Sequence, residues 1–404
     1  MIEAYVIAAL VLLQQVGIPA DPRVWSTVSA GDAHACALTV QGQAYCWNRP
    51  LARKGARETQ PVFAAVPGKL RFTSISAGNY TACWTSSNLA STYREFCFGR
   101  QKHHTCAVTL KGEAYCWGGN TNGQLGDGTT TDRSAPAQVA GGLTFASISA
   151  GDAHTCGVTT DRVAYCWGRN ASGELGTGSV DEEPHPQPEL VARDVRTIAA
   201  GGHFSCAADS KGVAYCWGDN YQNRIGSSAA DPVSPNSTPL PVDGGHEFVT
   251  ISAGETHACG IGSDGVAYCW GGNFNGEIGP DVALLSSSRN PAAIAGPKFA
   301  LISAGLRFHS CAIAVNRKAY CWGRNTEGQL GVGDQAIESC HSDPCSTRPI
   351  SVSRSLEFRS LSAGRAFTCG VTMGGELYCW GGGWSGSPDP DAARHTRPRL
   401  IRDF

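Results

Sequence analysis

Apolar and small residues gather in short runs separated by polar, Gly- and Pro-containing turns, which is the pattern of β-strands rather than helices. Thr144–Ser149 reads as a first strand, His154–Thr159 as a second and Val163–Trp167 as a third. A fourth follows at Pro136–Val139 and Pro349–Val352, where a missing ladder donor suits a strand start or an edge. Pairing the second and third strands sets His154, Cys156 and Val158 opposite Gly168, Cys166 and Ala164. On the other face Thr155 and Gly157 meet Trp167 and Tyr165, small against large. Both faces of this hairpin are apolar, so it must be covered on both sides.

The pattern recurs. Ser-Ala-Gly stands at 29–31, 76–78, 149–151, 252–254, 303–305 and 362–364, with Ala-Ala-Gly at 199–201, making seven occurrences. Cys106, Cys156, Cys206, Cys259, Cys311 and Cys369 are spaced by 50, 50, 53, 52 and 58 residues. A period of this length, with short strands and Gly-rich turns, predicts an all-β fold: a seven-bladed β-propeller of four-stranded antiparallel blades. The Trp of each Cys-Trp-Gly then reads as a wedge between blades. Pro398–Ile401 ends the last unit, and Val24–Val28 reads as a strand supplied from the other terminus, so the ring is expected to close by sharing one blade between the N- and C-termini. The stretch 77–116 is irregular and admits either an inserted hairpin or a truncated eighth blade.

Cysteine spacing sharpens the hairpin. Cys36 and Cys46 are ten residues apart, as are Cys106 and Cys116, Cys156 and Cys166, and Cys206 and Cys216. The same interval separates Cys259 and Cys269, Cys311 and Cys321, and Cys369 and Cys379. Direct opposition needs a three-residue turn whose last position has positive φ, and Gly42, Gly112, Gly212, Gly265 and Gly375 occupy it. Arg162 and Arg317 stand there instead, predicting strain or a different turn. Opposed residues lie within disulfide reach. Cys83 and Cys97 make an eighth pair, and Cys340 and Cys345 a ninth across a long loop. All 18 cysteines are thereby paired.

Composition then removes whole classes. The 50 Gly follow no G-X-Y period, 42% hydrophobic content with 10 Trp supplies a core, and 16% charge is far too low for a coiled coil. The 32 basic and 34 acidic side chains give −2, so no general attraction to nucleic acid or an anionic surface is expected. Paired cysteines point to an oxidising compartment, extracellular, periplasmic or cell-surface, and against the cytoplasm. Residues 1–20 read as a signal-peptide-like leader: Ala4–Leu13 is an apolar run too short to span a bilayer, although Glu3 stands where a basic residue is usual. No membrane span is expected elsewhere, and 21–404 form a single domain.

The run Ser149–Val158, followed by Ala164–Gly168 and Asn170-x-x-Gly173-x-Leu175-Gly176, resembles the repeat of the regulator of chromosome condensation family. The tail recurs at Asn120–Gly126, Asn273–Gly279 and Asn325–Gly331, while Asn220–Gly226 has Asn223 for the first Gly. The resemblance covers about 24–404. It implies a seven-bladed propeller used mainly for protein recognition, in the Cys-paired form of secreted bacterial members. The family's best-known activity is nucleotide exchange on a small GTPase. That alternative finds neither a basic tail nor exchange residues to carry over here.

Chemistry beyond the scaffold is sparse. His34, His104, His154, His257 and His309 recur in His-x-Cys triplets, but their cysteine partners are consumed, and each His is expected to cap a local turn rather than bind metal. After the glycines stand Asp32, Asn79, Asp152, Gly202, Glu255, Leu306 and Arg365, with no constant carboxylate. No linear catalytic motif occurs, so neither catalytic residues nor a cofactor are assigned. A propeller enzyme or an enzyme inhibitor stays a further alternative. Variable connections on a rigid scaffold are better candidates for recognition. These are 49–60, 180–189, 227–241, 281–297 and 334–348, with Arg49, Arg53 and Arg57 forming a basic patch and Asp181, Glu182 and Glu183 an acidic one. The expected protein is a monomeric, non-enzymatic binder of another protein.

Overall fold

The computed structural model describes residues 24–401 except 33, 49–62, 79–82, 86–94, 98–102, 232–233, 334–336 and 383–394; at 48, 83–85 and 95–97 it describes backbone alone. Seven antiparallel sheets form the blades of a propeller. They run from Trp25–Ala30 to Ala64–Ala65, Phe72–Ala77 to Arg133–Gln138, Phe145–Ala150 to Asp181–Arg193, and Val195–Ala200 to Asn236–Pro241. Blades 5 to 7 run from Phe248–Ala253 to Ser286–Ile294, Phe299–Ala304 to Asp343–Ser351, and Phe358–Ala363 to His395–Leu400. A short strand, Glu338–Cys340, extends blade 6 at its outer edge. Among the described residues the helical content is one 3-10 turn at Tyr221–Asn223, and no helix is long and apolar enough to cross a membrane.

Each blade places its first strand at the axis, where first strands of successive blades pack side by side. The second strand is buried at every position in blades 1, 2, 3, 5, 6 and 7, as a strand covered on both faces must be. Cys156 opposes Cys166 in register, and the same pairing holds in the other blades. Each opposed pair is a disulfide, as the ten-residue spacing predicts. Cys36 is bonded to Cys46, Cys106 to Cys116, Cys156 to Cys166 and Cys206 to Cys216. Cys259 is bonded to Cys269, Cys311 to Cys321 and Cys369 to Cys379. In all seven hairpin bridges the Cα atoms lie 4.1 Å apart. The short separation is that of a directly opposed pair without mutual hydrogen bonds. An eighth disulfide joins Cys340 to Cys345.

Between the first two strands of blade 2, Cys83–Thr85 pairs with Glu95–Cys97 as a separate two-stranded sheet, so the irregular stretch holds an inserted hairpin. Cys83 and Cys97 face each other in its register, but their side chains lie outside the described residues.

The closure differs from expectation. No blade is shared: Trp25–Ala30 starts blade 1, and blade 7 already contains its own first strand, Phe358–Ala363. Both ends of the chain are in the same phase of the repeat, which leaves no vacant strand position to fill. The seam closes instead through the contacts that join the other blade pairs, except blades 4 and 5, where Ala199 replaces the Ser. The Ser of Ser-Ala-Gly accepts a hydrogen bond from the Ala N–H of the next blade. The pairs are Ser29 with Ala77, Ser76 with Ala150, Ser149 with Ala200, Ser252 with Ala304 and Ser303 with Ala363, at 2.9–3.0 Å. At the seam Ser362 accepts from Ala30 at 2.9 Å. Beside these bonds the backbones nearly touch. A Cβ on Gly364 would lie 2.7 Å from the Gly31 carbonyl, so only glycine allows that approach. Trp25 and Val28 pack on Phe367, Val371 and Leu377 to seal the junction.

Candidate functional site

Strand direction divides the molecule into two rims. The first-to-second and third-to-fourth connections share an upper rim; the tight hairpin turns share the lower one. The upper rim is built on three repeated bonds. Asn120 Oδ1 accepts from Leu125 N at 3.0 Å, and Asn170, Asn220, Asn273 and Asn325 do the same for their own tails. The carbonyls of Gln124, Glu174, Arg224 and Glu277 each accept the indole N–H of the next blade's Trp, at 2.9–3.1 Å. Those Trp side chains are therefore wedges between blades, buried with their polar atom satisfied.

The third bond involves the recurrent histidines, which reach into the next blade, while His309 also meets a local carbonyl, that of Arg307, through Nδ1 at 3.0 Å. Nε2 of His34, His104, His154, His257 and His309 reaches the hydroxyl of Thr105, Thr155, Ser205, Ser310 and Thr368 in the next blade, at 2.8–3.1 Å. The hydroxyl of Thr155 itself donates to the Gln124 carbonyl at 2.8 Å, as Ser205 does to Glu174 and Thr368 to Gln329. With the hydroxyl proton so used, His104 and His154 must donate from Nε2. Burial, and then neighbouring His and Arg charges, hold His104 and His154 at pKa about 3; burial also brings His257 to about 3. These are neutral joints between blades.

At the mouth of the axis lie charged side chains from several blades. Arg365 Nη1 stands 3.2 Å from Asp32 Oδ1 across the seam, and Arg307 Nε 3.3 Å from Glu255 Oε2 between blades 6 and 5. Arg224, buried, donates to the carbonyls of Tyr221 and Glu255 at 2.8 Å and lies 3.4 Å from Asp219. Its guanidinium also covers the rings of Phe204 and Tyr221. Arg169 donates to Nδ1 of His203 at 2.9 Å, and burial followed by the Arg169 charge brings His203 to about 4. Burial raises Glu255 despite Arg307, Arg365 and Arg224. Arg365 with Asp32 and Arg307 with Glu255 thus form opposite pairs that bridge blades, while Arg224 and Asp219 pair within blade 4. Among the described residues no three His, Cys, Asp or Glu side chains gather as a metal-binding set.

Residues 97–403 match the RCC1-like domain, and residues 25–47 match the regulator of chromosome condensation (RCC1) repeat. The chain belongs to the RCC1-like domain family. The probable E3 ubiquitin-protein ligase HERC3 of Homo sapiens is 26% identical over 160 residues, 39% of this chain and 15% of that protein. The ultraviolet-B receptor UVR8 of Arabidopsis thaliana is 27% identical over 320 residues, 76% of this chain and 54% of UVR8. This chain therefore spans less than two thirds of either relative. Prp20p from Saccharomyces cerevisiae superposes with a TM-score of 0.66 at 21% identity, covering 84% of this chain and 87% of that one. Human WBSCR16 gives 0.67 at 16%, covering 88% of each chain. Both carry the same fold.

In this RCC1-like frame the acidic segment is not a loop. Asp181, Glu182 and Glu183 begin the outer strand of blade 3, Asp181–Arg193. His185 lies between Asp181 Oδ1 and Glu189 Oε1, at 2.7 and 2.6 Å, so Asp181 is occupied internally while Glu182 and Glu183 are exposed. Burial opposes a charge on His185, but its two carboxylate partners prevail and raise its pKa. Arg49, Arg53 and Arg57 lie outside the described residues, as does Asn79. The network of Arg224, Arg307 and Arg365 was not legible from the repeat. Its one sequence signal is Arg224, which replaces the Gln or Glu found at the same tail position in Gln124, Glu174, Glu277 and Gln329.

Proposed function

We propose that this RCC1-like propeller is a non-enzymatic recognition module that binds a protein partner through the third-to-fourth-strand connections of its upper rim and the outer strands that follow them. The observation that carries the reading is the contrast along that rim. The tail Asn, the Trp and the blade-bridging hydroxyls repeat nearly unchanged, whereas the segments at 49–60, 180–189, 227–241, 281–297 and 334–348 differ in length and charge. A fixed frame bearing variable segments suits recognition. The charges at the axial mouth are engaged between blades, which favours this reading over a propeller enzyme. Among related folds, Prp20p is described as binding Gsp1p and histones, a protein-binding precedent in the same architecture.

Export through the leader-like segment at 1–20 belongs to the same proposal, and eight disulfides are compatible with it. Exchange-factor activity is the alternative that the family membership supports. Two measurements separate them. Fewer than about two free thiols in the native protein are expected of an exported, disulfide-bonded chain. Grafting short neutral turns into the five variable segments should abolish partner capture with the fold retained. Undiminished capture by the graft, or stimulated nucleotide release from a GTPase, overturns the proposal.

A further inference from the structure

The lower rim, opposite the proposed recognition surface, carries an uneven distribution of apolar side chains. Each second-to-third-strand turn presents its first residue outward. In blades 6, 7, 1 and 2 that residue is Val315, Met373, Val40 and Leu110, exposed to 64, 42, 42 and 83%. In blades 3, 4 and 5 it is Thr160, Ser210 and Ser263, although Val213 just beyond the blade 4 turn and Val249 in the first strand of blade 5 are exposed to 38 and 45%. Blades 7 and 1 meet at the seam, so the four apolar tips lie on consecutive blades and form one arc. The tips are held rather than loose. Val40, Val315 and Met373 donate their backbone N–H to the carbonyls of Val24, Lys298 and Glu357 at 2.8–2.9 Å. Equivalent turns of a closed ring place such tips at one height.

Charge follows the same division. On the apolar side stand Lys69, Arg71, Lys111, Arg317, Arg354 and Arg359, all exposed, against Glu113, Glu357 and Glu376. Lys318 already pairs with Glu357 at 3.3 Å. The other half mixes signs: Asp161, Asp194, Asp243, Glu247 and Asp264 stand there with exposed Arg162, Arg193, Arg196 and Lys211. The apolar half is therefore the more basic of the two, a local excess that the net charge of −2 for the whole chain does not reveal.

We propose that this arc docks the propeller, lower rim down, on the surface of a bilayer bearing anionic headgroups. Separate apolar tips at one level suit insertion below headgroups better than a convex protein, which would need a continuous apolar patch. The surrounding Lys and Arg complement anionic lipid, and the half of mixed charge, which lacks the apolar tips, tilts away from it. Docking by this face leaves the upper rim directed outward, so the proposal stands whether or not the upper rim binds a protein.

The test is co-sedimentation of the full chain with phosphatidylcholine vesicles, with and without phosphatidylserine. Binding is expected to the anionic vesicles and to weaken with salt. Leu110→Ser combined with Val315→Ser should lower partitioning at least about tenfold. Lys69→Glu with Lys111→Glu should remove the preference for phosphatidylserine while leaving near-UV dichroism unchanged. The proposal is overturned if neither vesicle binds, or if the tip variant binds like the parent. It is equally overturned if the tips prove to drive self-association, read as a concentration-dependent dimer that the tip variant loses.

Discussion

At the hairpin turns, Arg162 and Arg317 adopt φ of 61° and 67°, in the left-handed region their glycine counterparts occupy. The turn itself is unchanged: Arg162 N–H donates to the Thr159 carbonyl as Gly112 does to Thr109. The cost is therefore strain on a side-chain-bearing residue, about 1–2 kcal/mol, offset in part by the entropy a glycine would lose. Arg162→Gly or Arg317→Gly should stabilise the protein by about 0.5–1 kcal/mol, read as a higher denaturation midpoint at constant m-value. A second residue-scale case is Glu277, buried, whose carboxylate accepts from Phe274 N and Asn275 N. Burial outweighs those bonds and raises its pKa to about 7. A folded pKa above the ordinary 4.5 stabilises below that value and is lost as pH rises through 7. Gln124 and Gln329 fill the same position with an uncharged acceptor. Glu277→Gln should consequently gain about 1–2 kcal/mol at pH 8 and little at pH 5, measured by thermal melts at both.

The blade is held internally by its ladder and disulfide, and to its neighbour by a small repeated set of polar bonds. Each Ser-to-amide bond contributes about 1 kcal/mol net. Ser362→Ala removes one at the seam and should cost that amount, with exchange protection falling first in the strands Trp25–Ala30 and Phe358–Ala363. Blade 4 offers the converse. Ala199 stands where the other blades have Ser, so Ala199→Ser provides an acceptor for Ala253 N–H and should stabilise by a similar amount. Removing a hairpin disulfide, as in Cys156→Ala with Cys166→Ala, is expected to cost about 2–3 kcal/mol by chemical denaturation, a cysteine pair being worth more than one polar joint.

For the whole molecule the polar joints make stability depend on pH. His104, His154 and His257 fold as neutral imidazoles with pKa about 3, below the ordinary 6.5. Their contribution is complete above 6.5 and is lost as pH falls toward 3, because the unfolded chain binds the protons first. Glu174 and Glu277, both raised to about 7, act in the opposite sense between 4.5 and 7. The two effects offset each other near pH 5 to 6, and of these groups only the histidines continue to titrate below 4.5. Thermal melts should therefore show a shallow dependence down to about pH 5 and a steep fall below it. Replacing His154 by Asn should flatten the acid limb, whereas an unchanged acid limb would remove the imidazole joints as its cause.

Much of this was present in local pattern. Seven glycine-led units, a ten-residue cysteine spacing and small residues opposite Trp167 and Tyr165 determine blade number, hairpin register and burial, because each depends on residues near one another in the chain. The sequence alone did not determine how the ring closes. Strand phase at the two ends is a relation between residues 332 apart, as for Ala30 and Ser362, and local periodicity is silent about it. The His-to-hydroxyl joints were hidden for the same reason, since Nε2 of His154 finds its partner 51 residues away in another blade. So were the charge pairs at the axis and the apolar arc below it, which exist because closure brings blade 7 beside blade 1. Tertiary structure decides which repeats are neighbours, and that adjacency determines which exposed and charged side chains form a surface.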